Sequence, residues 1–162
     1  MSTTTDGQIC YGAILDGSNY SYYLPWEEKE NEDGELDGDE ETWWLEELGF
    51  KHSKECYGEN GSRLPNITED DVEEYFKEKH DFLKKNPFPI QLVNMCSADC
   101  PEYIIAVPGT FISANRGYPV EINIDDLIVD KDKLTKFMEF IVKYSVPIAL
   151  KDLKWYLSSY WG

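Results

Sequence analysis

Residues 27 to 47 carry twelve carboxylates and one lysine, Lys29, so that twenty-one positions hold a charge of −11 out of −17 for the 162-residue chain. No core can absorb such a run. Taking a charge out of water costs several kcal/mol unless it is paired, and one lysine cannot pair twelve carboxylates. The segment must therefore stay at the surface while its flanks fold. Those flanks are aromatic, with Pro25-Trp26 on one side and Trp43-Trp44 near the other end. Side chains of that size gain most by burial. The expectation is a single α+β domain over residues 1–162, with the acidic segment 27–47 inserted and tethered at both borders. Like charges so close together repel, a stability cost that solubility alone could avoid with fewer carboxylates.

Strong acidity disfavours direct binding to nucleic acid or to anionic lipid, both of which would be repelled at range. A basic protein or a metal cation suits it better. Regularly displayed carboxylates can imitate the phosphates of a duplex, about one charge per 1.7 Å of axis, and so occupy a positively charged channel. The candidate partner-binding residues are Glu27, Glu28, Glu30, Glu32, Asp33, Glu35, Asp37, Asp39, Glu40 and Glu41, with Trp26, Trp43 and Trp44 beside them as aromatic anchors. A solvated loop that merely keeps the protein soluble is the plainer alternative. A calcium loop fits poorly. "DGELDGDEETWW" aligns Asp33, Glu35, Asp37 and Gly38 with the first half of such a site, but Trp44 falls where a bidentate Glu is required.

The rest of the chain reads as α+β, mostly antiparallel, with two main helices. "QICYGAIL" predicts a strand, followed by "DGSN" and "YSYYL" as a hairpin. "ETWWLEELGF" predicts a short helix that turns Trp43, Leu45 and Leu48 inward and stops at Gly49. "KHSKECYGENGSRLPN" is a loop. "TEDDVEEYFKEKHDFLKK" is the clearest helix: Thr68 caps it, Asp71 stands at its third position, and Val72, Tyr75, Phe76, Lys79 and Leu83 form one stripe. Ile90 to Met95 and Tyr103 to Val107 predict a central hairpin. A second helix runs from Lys131 to Tyr144, with Leu134, Phe137, Met138, Ile141 and Val142 as its apolar face and Pro147 ending it. "LKWYLSSYWG" predicts a closing strand.

Two chelating pairs stand out: His52 and Cys56 in "HSKEC", Cys96 and Cys100 in "CSADC". Together they could hold a structural zinc ion, closed by four protein ligands. The other reading makes Cys10 and Cys96 small buried residues and His52 a solvated loop residue; on that reading the chain has no cofactor. No segment approaches a membrane span and no secretory leader stands at the start, so the cytoplasm and reduced cysteines are expected. Catalysis has little support, because neither His52 nor His80 comes with a recognisable nucleophile and neither a GxSxG nor a P-loop motif appears. An enzyme of unrecognised type acting on a small molecule is the remaining alternative. Arg116, in "VPGTFISANRGYPVEI", is the one cation in a loop of recognition character, and a structural salt bridge is its commoner use.

The stretches "CSADCPEYIIAVPGT", "RGYP" and "WYLSSYWG" resemble small acidic proteins of tailed bacteriophages and related mobile elements that carry no assigned activity. The resemblance covers roughly the C-terminal half and includes no catalytic motif. It implies a setting, the cytoplasm of an infected bacterium. Small acidic non-enzymes in that setting frequently evade host defence, as anti-restriction and anti-CRISPR inhibitors of the DNA-mimic type do.

Overall fold

Strand β1 (Thr5–Ile14) organises the sheet, because it is long enough to serve three partners. One edge pairs antiparallel with β5 (Lys154–Trp161) from Thr5 to Gly12. The other edge takes β4 (Ile112–Ala114) at residues 7–9 and then β3 (Pro101–Ala106) at residues 12–14. Strand β2 (Gln91–Ser97) completes the predicted central hairpin with β3 and meets β5 in the one parallel pairing. The sheet order is β3-β2-β5-β1-β4, and the extra β1–β3 pairing closes β1, β3, β2 and β5 on themselves. The computed structural model describes residues 5–15, 24–26, 40–52, 56–57, 62–97 and 101–161, with backbone alone at Thr5, Ser97, Pro101 and Trp161. The predicted "DGSN"–"YSYYL" hairpin lies outside them, apart from Leu24. Among them the fold is α+β, with three α-helices and a five-stranded, mostly antiparallel sheet.

Closure of the strands depends on Gly12. A Cβ placed there would stand 2.1 Å from the carbonyl oxygen of Ile105, so only glycine allows β1 and β3 to approach this closely. The link between β3 and β4 is a Pro108-Gly109 turn, with Gly109 at φ +81 and the Thr110 N–H donating to the Val107 carbonyl at 3.2 Å. The buried Thr110 hydroxyl accepts from the Tyr11 N–H at 3.1 Å and donates to the Val107 carbonyl at 2.7 Å. Cys10, Val93, Ile104 and Ala106 form the enclosed cluster, with Met95, Phe111 and Tyr156 packed against it.

Helix α3 (Lys131–Lys143) starts at Asp130, whose side chain accepts from the N–H groups of Asp132 and Lys133. The Lys133 N–H bond above all, then the Asp132 N–H and the charges of Lys133 and Lys136, lower this carboxyl from its ordinary value. The buried face is Phe137, Phe140 and Ile141. Val142, predicted inward, is 69% exposed, because the stripe that turns inward passes through Phe140 instead. The helix ends before Pro147, at Ser145 with φ +53, where the N–H groups of Ser145 and Val146 return to the carbonyls of Val142 and Ile141.

The chain forms two units: Trp26–Phe88, and Met1–Pro25 with Pro89–Gly162, the latter holding the sheet and α3. In the first, α1 (Glu40–Glu47) stops as expected at Gly49, φ +69, with the N–H groups of Gly49 and Phe50 on the carbonyls of Glu46 and Leu45. Leu45 is buried as predicted. Leu48, also predicted inward, is exposed because it sits at the cap after the last helical turn. Helix α2 (Glu69–Lys85) has the full capping box: Thr68 accepts from the Asp71 N–H, and Asp71 accepts from the Thr68 N–H at 2.8 Å. Phe76 of its predicted stripe is 52% exposed, and Phe82 lies on the packed side instead.

Candidate functional site

The Trp26–Phe88 unit holds twenty-one carboxylates against eight lysines and arginines, a net −13 of the chain's −17. Of the candidate partner-binding residues, Glu27, Glu28, Glu30, Glu32, Asp33, Glu35, Asp37 and Asp39 lie outside the described residues; Glu40 and Glu41 open α1 and are exposed. What is described is the frame at the borders of the run. Trp26 is 5% exposed, its ring centroid 5.8 Å from Trp43 and 5.5 Å from Phe88. Trp43 stacks on Trp44 at 6.0 Å, and Trp44 meets the edge of Phe88 at 5.3 Å. The two ends of the acidic run are thus clasped by four rings. Phe88 was missed in the sequence because it stands alone between prolines, in no apolar period.

Two polar contacts tie α1 to α2. The Trp44 indole N–H donates to the Asn86 carbonyl at 3.0 Å, and the Lys79 ammonium stands 2.6 Å from a Glu41 carboxylate oxygen. Helix α1 carries Glu46 and Glu47 in its last turn with no basic residue there. Carboxylates at that end face the negative pole of the helix. Helix α2 is arranged the favourable way round, with Glu69, Asp70 and Asp71 first and Lys84 and Lys85 last.

Between α1, the loop after it and α2 lies a cleft of about 540 Å³. Its walls include Leu45, Phe50, His52, Cys56, Tyr57 and Tyr75, with Thr42, Glu46, Lys51 and Lys79 supplying polar groups. The rings stand edge-on around Tyr75: His52 at 5.2 Å, Tyr57 at 5.8 Å and Phe50 at 6.4 Å between centroids. His52, expected as a solvated loop residue, has a side chain only 6% exposed, and its Nδ1 lies 2.5 Å from Glu78 Oε2. Burial against Tyr75 and the Glu78 carboxylate corrects that expectation. Glu78 could have been suspected only from its place on the inward side of α2.

The four zinc candidates are distributed as follows. His52 and Cys56 belong to the helical unit, where the Cys56 thiol donates to the Asp71 carbonyl at 3.6 Å. Cys96 belongs to the sheet unit, exposed and left-handed at φ +75 near the end of β2, and is not the buried residue anticipated for it. Cys100 lies outside the described residues. Among the described residues, no three His, Cys, Asp or Glu side chains form a group that could hold a metal ion.

Cys10 is fully buried in the sheet unit, and burial pushes its thiol up to about 11. His80 is exposed on α2. The Arg116 N–H donates to Asp6 at 3.1 Å, which fixes the loop after β4 to β1. A smaller opening of about 230 Å³ is lined by Gln8, Gln91, Asn94, Phe111 and Tyr160. Buried oxygens of Gln8, Asn94 and Ser158 have no hydrogen-bond partner among the described residues. No described helix is long and apolar enough to cross a membrane.

The chain matches no known protein family, no curated protein and no solved structure.

Proposed function

We propose that this chain is an interaction protein, not an enzyme, whose acidic segment occupies the basic surface of a nucleic-acid-handling or defence protein and blocks it. The observation that carries this reading is the four-ring clasp. With Trp26 5.8 Å from Trp43, both ends of the carboxylate run are gathered at one place, which favours presenting its charge as a localised patch. The proposed setting is the cytoplasm of a phage-infected bacterium. In such a complex charge governs the rate of approach, while buried aromatics govern how long the partners stay together.

The test uses the immobilised protein to capture partners from bacterial lysate, followed by elution with duplex DNA. A partner of the proposed kind is released by DNA, binds more weakly as salt rises, and is lost when Glu35, Asp37, Asp39 and Glu40 are all replaced by lysine. Capture that survives both DNA and the fourfold charge reversal overturns the reading.

A further inference from the structure

We propose that the cleft walled by Phe50, His52, Tyr57 and Tyr75 is a receptor for an organic cation of the guanidinium or alkylammonium type. Three observations select that chemistry. The rings stand nearly perpendicular to one another around Tyr75, with interplanar angles of 63° to Phe50, 83° to His52 and 65° to Tyr57. All four rings line the same cleft, and the negative face of a phenol ring attracts a cation. At about 540 Å³ the space is in the range that takes a small molecule or one long side chain.

The second observation is the imidazole. His52 is 6% exposed at its side chain and lines the cleft, and Glu78 occupies its Nδ1. With Glu78 at Nδ1, the neutral tautomer that keeps its proton on that nitrogen presents Nε2 to the cleft as a lone-pair acceptor. Nε2 has no hydrogen-bond partner among the described residues. A ligand that satisfies it must bring an N–H or O–H donor; guanidinium and ammonium groups are donors only.

The third is the field. The cleft belongs wholly to the unit of net −13, so an anion would enter against that charge and a cation with it. Two lysines line the same cleft. Lys79 is already engaged by Glu41 at 2.6 Å, which leaves Lys51 as the ammonium that opposes a cationic guest. The cation has two sources, a free amine or guanidine and an arginine or lysine of a basic protein partner. Only the second rests on the function proposed above.

The probe is butylguanidinium, titrated into the isolated protein while the ring resonances of His52 and Tyr75 are followed by NMR. Both should shift at millimolar probe, and butylurea, the neutral isostere, should bind about tenfold more weakly. Exposed Lys51 can be changed without disturbing the fold, and Lys51→Glu should tighten butylguanidinium several-fold. Tyr75→Leu, which keeps apolar bulk but removes the ring face, should weaken it. Equal binding of butylurea, no shift at either ring, or a Lys51→Glu variant that binds no better overturns the proposal. If Lys51→Glu also tightens a captured protein partner, the cation is that partner's side chain; if it tightens butylguanidinium alone, the cation is a free small molecule. Because butylguanidinium is titrated without any partner, failure of the acidic-segment reading leaves this measurement untouched, and the reverse also holds.

Discussion

The two units solve opposite problems. The sheet unit spreads a net −4 over 99 residues and hides Cys10, Ile104, Ile105, Ala106, Val107 and Phe137 completely. The helical unit carries −13 on 63 residues, and no residue of α2 is buried. Around the few buried aliphatics there, Leu45 and Ile67, stands a set of rings: Trp26, Trp43, Trp44 and Phe88 in the clasp, Phe50, Tyr75 and His52 at the cleft, and Phe82 against Phe50. An aromatic side chain removes 150–250 Å² from water by itself, so a few of them can hold short helices together while most positions stay charged. The lesson is that dense charge and defined structure are compatible when cohesion is concentrated in few, large contacts. That concentration makes each contact harder to lose.

The comparison breaks first, and most severely, at the strand closure. Gly12→Ala puts a methyl 2.1 Å from a backbone oxygen that has nowhere to move without parting β1 from β3. The sheet should lose about 4 kcal/mol or more, seen as a lower midpoint in urea. Gly7, where an added Cβ would meet nothing within 4 Å, should tolerate alanine far better. Next in size is Trp26→Ala, expected to cost roughly 3 kcal/mol and to speed amide exchange in α1. Trp26→Phe, which keeps a ring against Trp43 and Phe88, should recover much of the loss. An alanine variant as stable as the parent would mean that the rings do not carry the unit.

What the sequence made legible follows from local chemistry. The capping box at Thr68 and Asp71, the Gly49 stop, the β2–β3 hairpin and β5 all rest on residues close together in the chain, and all are present. Contacts between distant segments were not legible. Nothing local says that β1 will meet β3, β4 and β5, or that three-residue β4 will form within a loop. The inward faces of helices were misjudged at Phe76 and Val142 for one reason: a stripe drawn on one helix does not reveal which side its neighbours cover; Leu48 was misjudged because α1 ends before it. The cleft was hidden similarly. His52 and Glu78 are twenty-six residues apart, and neither carries a motif.

The thiol buried in the sheet gives a pH-dependent contrast of intermediate size. Cys10 stays neutral in the fold up to about 11, whereas in the unfolded chain it ionises near its ordinary value of 9.0. Because the folded value is the higher one, the folded state holds the proton through that interval and the unfolded state releases it. Stability is therefore intact below pH 9 and falls between pH 9 and 11, by up to about 2.7 kcal/mol. Denaturation of the parent and of Cys10→Ala at pH 8, 9.5 and 11 isolates this part: the difference between them should shrink as pH rises. Exposed Cys96 should react with a thiol reagent well before Cys10 at pH 8. Equal rates would contradict the enclosed position of Cys10.

The smallest effect tests whether α2, with no buried residue of its own, depends on its ends. Thr68 and Asp71 satisfy donors that the helix cannot satisfy internally: the Asp71 N–H reaches the Thr68 hydroxyl oxygen at 3.3 Å, and the Thr68 N–H reaches the Asp71 carboxylate at 2.8 Å. Thr68→Ala removes the hydroxyl and should cost about 1 kcal/mol, with Thr68→Ser restoring it. The loss should appear as faster exchange in the first turns of α2 and as weaker binding in the cleft, because Tyr75 lies in the second turn and Glu78, which orients His52, in the next. Equal exchange in the alanine and serine variants would mean that the ring contacts at Tyr75 and Phe82 hold α2 without its cap, and the helical unit would then depend on its aromatics more completely than its charge pattern implies.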